Sequence, residues 1–292
     1  MLDSTVVGAT DKDVVVCIEA GQLAAYADAI GESNPIYRSR NAAVSSGYPN
    51  IPIPLTYYFS LGLLRERPLG FLVDRQVDLL KILHGEQSFN YKRLGFAGET
   101  LTVTRRVVDF YERKSGDLQF IVIETSIRDT ASELVTTANE TLVLPRQPAI
   151  RQSAADAHAF ASGPAQPGDL PQLRPGHVSE AILSRFAQAS GDRNPIHVDR
   201  VAARSAGYDT VFAHGMLSMA WVGRMLSDWT RQENVRSFAV RFTQPLPLHA
   251  TPVCSGRLRE QQNSDSIQTI DLCIRLETGA TTLTGTANVM RA

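Results

Sequence analysis

Gly191-Asp192-Arg193-Asn194-Pro195-Ile196-His197, followed seventeen residues later by His214-Gly215-Met216, is the stretch whose reading decides the fold. Upstream of it, Glu180 to Ser190 has the pattern of a short helix. Ser179 can cap its first free N–H groups, and Ile182, Phe186 and Ala189 share one face. Gly191 is the natural stop, because it enters the left-handed conformation without a Cβ clash. Pro195 keeps Asn194 out of the α region, so the chain leaves the helix in an extended turn. That turn can present an acid, Asp192, and an imidazole, His197, to one point.

These residues resemble the signature of the MaoC-like hydratases, the (R)-specific enoyl-CoA hydratases and 3-hydroxyacyl thioester dehydratases of the hotdog fold. The resemblance runs from Phe186 to Ala206 and includes Ala213 to Met216. It implies that Asp192 and His197 are the catalytic pair, and that the Gly215 N–H binds the thioester carbonyl. A free N–H at the positive end of a helix suits a developing oxyanion, and the absence of a side chain lets the thioester come close. Asn194 is expected to orient the turn or the water. His214 is expected to wall the pocket or to steer substrate.

The chain also repeats itself. Shifted by 160 residues, Tyr26 to Tyr37 falls on Phe186 to His197 without a gap, and Arg40, Ala42, Ala43, Ser45, Gly47 and Tyr48 fall on Arg200, Ala202, Ala203, Ser205, Gly207 and Tyr208. Two copies of one fold follow. The first copy has Glu32 for Asp192, Tyr37 for His197 and Pro54-Leu55 for His214-Gly215. A phenol with a pKa of about 10 does not exchange protons at neutral pH as imidazole does, and a leucine obstructs the helix start. The first copy is therefore expected to be a scaffold without chemistry.

Each copy is expected to carry an almost wholly apolar central helix, Leu55 to Leu64 in the first and Met216 to Leu226 in the second. Strands are expected at 86–91, 100–111, 118–127 and 134–144, then at 237–242, 252–258, 270–276 and 281–290, with turns at Ala97-Gly98-Glu99 and Ser115-Gly116-Asp117. The connections are too short for helical crossovers, so antiparallel sheets result. The segment from His84 to Leu144 is similar to the dehydratase-like domain that precedes the catalytic hotdog in two-domain members of the family. The expected fold class is α+β, a double hotdog: two antiparallel sheets, each wrapped around a central helix and joined edge to edge. Residues 1–145 form the degenerate half, 146–172 a Pro-, Ala- and Ser-rich linker holding His158, and 173–292 the catalytic half.

Across 292 residues the formal net charge is −1, with 29 basic and 30 acidic side chains, so no footprint for nucleic acid or an anionic membrane is expected. The pairs Lys92-Arg93 and Arg105-Arg106 read as solvated charges on an exposed sheet face. No apolar run approaches the roughly 18 residues of a membrane span. The start lacks the pattern of a secretory signal, so a cytoplasmic protein is expected. Cys17, Cys254 and Cys273 read as reduced packing residues. No two of the six histidines stand at helical ligand spacing, so neither a metal nor another cofactor is expected.

Together these readings imply reversible hydration of a trans-2-enoyl thioester, carried by CoA or acyl carrier protein, to the (R)-3-hydroxyacyl thioester. A hotdog acyl thioesterase is the alternative, as is a hydratase of a branched or dicarboxylic acyl-CoA such as mesaconyl- or itaconyl-CoA. A homodimer of double hotdogs is left open.

Overall fold

The computed structural model describes residues 2–113, 117–145, 167–259 and 266–291. Most of the expected linker, with His158, and the expected turn at Ser115 and Gly116 lie outside them. The N-terminal half contains β1 (Val14–Cys17), α1 (Ala20–Ala29), α2 (Arg40–Ser45), α3 (Tyr58–Leu61), α4 (Gly70–Val73), β2 (Leu83–Tyr91), β3 (Thr100–Arg113), β4 (Leu118–Arg128) and β5 (Leu134–Pro145). The C-terminal half contains α5 (Glu180–Ser190), α6 (Arg200–Ser205), α7 (Gly215–Trp229), β6 (Val235–Phe242), β7 (Pro252–Leu258), β8 (Ile267–Leu276) and β9 (Thr281–Met290).

The expected double hotdog is present. Its strands pair in the order β1-β3-β4-β5-β2-β6-β9-β8-β7, and every pairing is antiparallel. The two sheets meet through β2 and β6, so they form one nine-stranded surface. Phe89 lies directly opposite Phe238 at this junction, and both are fully buried. Edges that would otherwise invite association are thereby paired inside the chain. Residues 168–172, assigned above to the linker, run with Leu173 along the outer edge of β7: the Leu170 N–H donates to Gly256 O, and Leu173 and Cys254 exchange two backbone bonds.

The repeated helix-and-turn units form as their caps dictate. The Ser179 Oγ accepts the Ile182 N–H at the start of α5, and Gly191 ends it at φ 79°. Gly31 makes the equivalent turn after α1 at φ 68°. The central helices differ. In the second copy α7 runs for 15 residues, ten of them buried. In the first, only Tyr58–Leu61 is helical within the expected ten-residue element, although Leu55, Tyr57, Tyr58 and Leu61 are buried as a core helix would be. Arg65-Glu66-Arg67-Pro68 ends the apolar run where the second copy continues to Trp229. Apolarity all round a segment fixes its burial but not its hydrogen bonding.

Most of the core is a single cluster with members from both halves, Leu23, Leu101 and Val135 together with Leu183, Leu217 and Ile274. A second cluster, including Phe71, Leu72, Val107, Ile121 and Leu142, fills the N-terminal half under α4. Two readings of polar and small residues are corrected. Arg105 is buried, not solvated, because it sits on the inward face of β3 between Val103 and Val107. Arg93 is only part-exposed and is clamped by Glu99 and Asp129. None of the three cysteines is in a disulfide among the described residues; Cys254 and Cys273 are buried, whereas Cys17 on the edge strand is exposed.

Because the halves share one core, Phe238→Ala should lower the stability of the whole chain by about 3–5 kcal/mol. Thermal melts followed by circular dichroism should still show a single transition. Two separate transitions would contradict a common core.

Candidate active site

The loop after α5 is held by its own side chains. The Asn194 N–H donates to Asp192 Oδ1 at 3.3 Å, and the Ile196 N–H donates to Asn194 Oδ1 at 3.3 Å. Pro195 then starts one turn of 3-10 helix that carries His197 inward, where it is 8% exposed. Asn194 is thus committed to the turn while still lining the cavity.

The His197 Nδ1–H donates to Phe212 O at 2.9 Å. A carbonyl oxygen only accepts, so this contact puts the proton of the neutral ring on Nδ1 and leaves Nε2 with a lone pair. His214 is fixed in the opposite tautomer, its Nε2–H donating to Asp192 O at 3.1 Å. The two rings lie 4.0 Å apart between centroids at 34°. Burial pushes the His197 pKa down, opposed by the Asp192 carboxylate and the Phe212 contact. Burial, and then His197 beside it, holds His214 well below the imidazole range. Two neutral rings can stack where two cations would repel.

Asp192, His197 and His214 each offer a donor atom within 4.8 Å of the others. Helical spacing hid this grouping, because a loop assembles it. One nitrogen of each ring is engaged with a backbone carbonyl. His214 is fully buried and lies behind the cavity wall, whereas Asp192 and His197 are part of that wall.

Gly215 is the first residue of α7, so its N–H has no intrahelical acceptor. A Cβ at this position would stand 3.2 Å from three ring atoms of Phe242, tight against a ring that has to give way. Glycine here therefore serves the packing as well as the approach to the helix end.

Asp192, Asn194, His197 and Gly215 open on a cavity of about 650 Å³, within the usual range for a small-molecule site. Its wall is not made by the C-terminal half alone. Phe59, Leu63, His84 and Leu142 of the N-terminal half complete it. His84 was not singled out as a site residue, and no local pattern marks it. The β2–β6 junction brings its ring to 5.1 Å from Phe242, with Phe59 at 5.6 Å.

At the equivalent place in the first copy, the polar groups are turned on the protein itself. The Glu32 Oε1 accepts the Asn34 N–H at 2.8 Å, as Asp192 does in the second copy. The Tyr37 hydroxyl donates to Gln232 Oε1 at 2.5 Å, and Gln232 in turn donates to Ile53 O. Burial pushes the Tyr37 phenol far above its ordinary range. Neither Glu32 nor Tyr37 lines the cavity.

Comparison with known proteins finds two different domains in tandem. Residues 5–138 match the FAS1-like dehydratase domain region, and residues 163–274 match the MaoC-like domain. A UPF0336 protein of Streptomyces coelicolor is 34% identical over 124 residues, 40% of this chain and 77% of its own. The 3-hydroxyacyl-thioester dehydratase X of Mycobacterium tuberculosis is 28% identical over 204 residues, 68% of each chain. A solved MaoC-like dehydratase superposes with a TM-score of 0.82 at 22% identity, covering 98% of this chain and 99% of its own. The chain belongs to the MaoC-like dehydratase family of hydro-lyases. No helix among the described residues is long and apolar enough to cross a membrane.

Three imidazoles, the buried His197 and His214 and the half-buried His84, all have lowered pKa values, His84 down to about 4 through loss of solvent around its ring. Below the ordinary value near 6.5 the unfolded chain takes up protons that the folded chain does not, so stability falls as pH falls. Chemical unfolding at pH 7.5, 6.5 and 5.5 should show a steady loss, and His84→Phe should shrink it. Equal stability across that range would contradict the buried neutral imidazoles.

Proposed function

We propose that this chain catalyses the reversible addition of water to a trans-2-enoyl thioester, giving the (R)-3-hydroxyacyl thioester. In this reading residues 1–145 are a silent scaffold, 146–172 a linker, and 173–292 the catalytic half, and the thioester is carried by CoA or acyl carrier protein. The observation that carries the reading is the convergence of Asp192, a tautomer-fixed His197 and the first N–H of α7 on one cavity.

Hydration needs a base for the water, an acid for C2 and a site for the charge that builds on the thioester oxygen. The water binds between the Asp192 carboxylate and His197 Nε2. Its oxygen bonds to C3 as one of its protons passes to the pair, and the electrons of the double bond shift toward the thioester carbonyl. The Gly215 N–H, at the positive end of α7, receives that charge. A proton from the pair then reaches C2, leaving Asp192 and His197 as they began. Both new bonds form on the side of the acyl chain that faces the loop, which fixes one configuration at C3. Asn194 supports the reaction by holding the Asp192 turn, and His214 by backing His197 from behind the wall.

Asp192→Asn and His197→Ala should each lower the hydration rate by about 10²–10⁴-fold, and the double variant should add little, since the two act on one water. Thermal melts of each variant keep a collapsed loop from imitating this result. Tyr37→Phe and Glu32→Gln should leave turnover within a few-fold of the parent chain. Near-parental hydration by either catalytic variant, or comparable losses from the first-copy variants, would overturn the assignment.

A further inference from the structure

One residue of β2 is out of step with its strand. Gln87 and Phe89 point into the core, and strict alternation would put Gly85 beside them and turn His84 outward. The pairing with β5 is different. Glu86 lies opposite Thr141 and His84 opposite Leu142, so Gly85 is one residue more than the partner strand supplies. This bulge brings His84 round to the face of Leu142, and both side chains line the cavity. The extra position is built for glycine, since a Cβ there would stand 2.7 Å from Val143 Cγ2 and 3.2 Å from Thr141 O. Bulges that re-aim a side chain are frequent beside active sites.

The ring delivered in this way is held between two others. Phe59 of α3 lies 5.6 Å from it, tilted by 35°, and Phe242 at the end of β6 lies 5.1 Å from it, edge on at 66°. Phe242 in turn presents the tip of its own ring to α7: its Cε1, Cζ and Cε2 atoms each stand 3.2 Å from where a Cβ of Gly215 would be. All three rings and Gly215 border the same cavity. A row of rings therefore runs from the bulge in the N-terminal half to the helix end whose N–H is free. A donor of this kind is worth most where its geometry is fixed and water is kept away from it.

We propose that His84 is a positioning residue of this site: it braces the Phe242 ring against Gly215, and the braced ring holds the thioester carbonyl on the first N–H of α7. The proposal rests on the thioester-hydratase reading above and adds to it a residue from the N-terminal half. The role asks for a flat ring and not for a proton, so a phenyl group at position 84 can fill it. A brace of this kind acts at a distance from the reacting atoms, where a displacement of about 1 Å is enough to cost about 100-fold in rate.

Infrared difference spectra of hexanoyl-CoA, labelled with carbon-13 at the thioester carbonyl, read the Gly215 contact without any reaction. On the parent chain the bound carbonyl should absorb at a lower frequency than the free thioester. His84→Leu fills the space without a flat ring; it should lose much of that shift and lower kcat for hydration of trans-2-hexenoyl-CoA by about 10- to 100-fold, with kcat/KM falling equally. His84→Phe should recover most of both. Phe242→Leu should behave like His84→Leu, and the two together should add little, because one acts through the other. Thermal melts identify a variant that has not folded; if His84→Leu is one, the contrast between His84→Phe and Phe242→Leu decides. Losses in His84→Phe as large as in His84→Leu or Phe242→Leu, a parental frequency and kcat in His84→Leu, or additive losses in the double variant would overturn the proposal. A parent chain that shows neither the shift nor hydration rejects the hydratase reading and the brace with it, whereas hydration by the parent chain with His84→Leu unaffected rejects the brace alone.

Discussion

The antiparallel pairing of β2 with β6 is the contact on which the rest of the molecule depends. It closes the inner edge of each sheet with the other and makes the cores of the two halves one cluster, with Phe89 set against Phe238. It also fixes what faces the loop after α5. Without it, Asp192 and His197 would stand on a half-open surface, and Phe59, Leu63 and His84 would be elsewhere. The N-terminal half thus lines the cavity, although its own Glu32 and Tyr37 are turned to internal hydrogen bonds.

Within the site, backbone carbonyls do much of the ordering. Phe212 O determines which nitrogen of His197 carries the proton, and Asp192 O does the same for His214. Burial keeps both rings neutral, so that one can lie against the other. The loop that carries Asp192 is therefore held at its own turn and, through His214, from beneath. Gly215 adds the free helix end, at a point where the Phe242 ring leaves little room for any side chain.

Much of this was legible in the sequence, and the exceptions have physical reasons. The strands 252–258 and 281–290 lie where alternation and β-branched residues put them, and the Ser179 cap and Gly191 stop bound α5 as their chemistry requires. The first-copy central helix is shorter than its apolar run, because such a run says that a segment is buried without saying that its backbone is helical. The inward face of Arg105 is not legible, since a charge in a strand is ordinarily solvated and its partners Asp11 and Glu140 are distant in sequence. The grouping of His214 with Asp192 and His197, and the position of His84 opposite Phe242, depend on tertiary contacts that no spacing rule reports.

The central claim is that this cavity delivers water to a carbon–carbon double bond and leaves the thioester intact. One sample of trans-crotonyl-CoA with the parent chain tests it most directly, by following the enoyl absorbance and the free thiol together and then resolving the 3-hydroxybutyryl-CoA enantiomers. The account predicts loss of absorbance without thiol release, and (R)-3-hydroxybutyryl-CoA as the product. Thiol release at the rate of absorbance loss, or formation of the (S) alcohol, would contradict it.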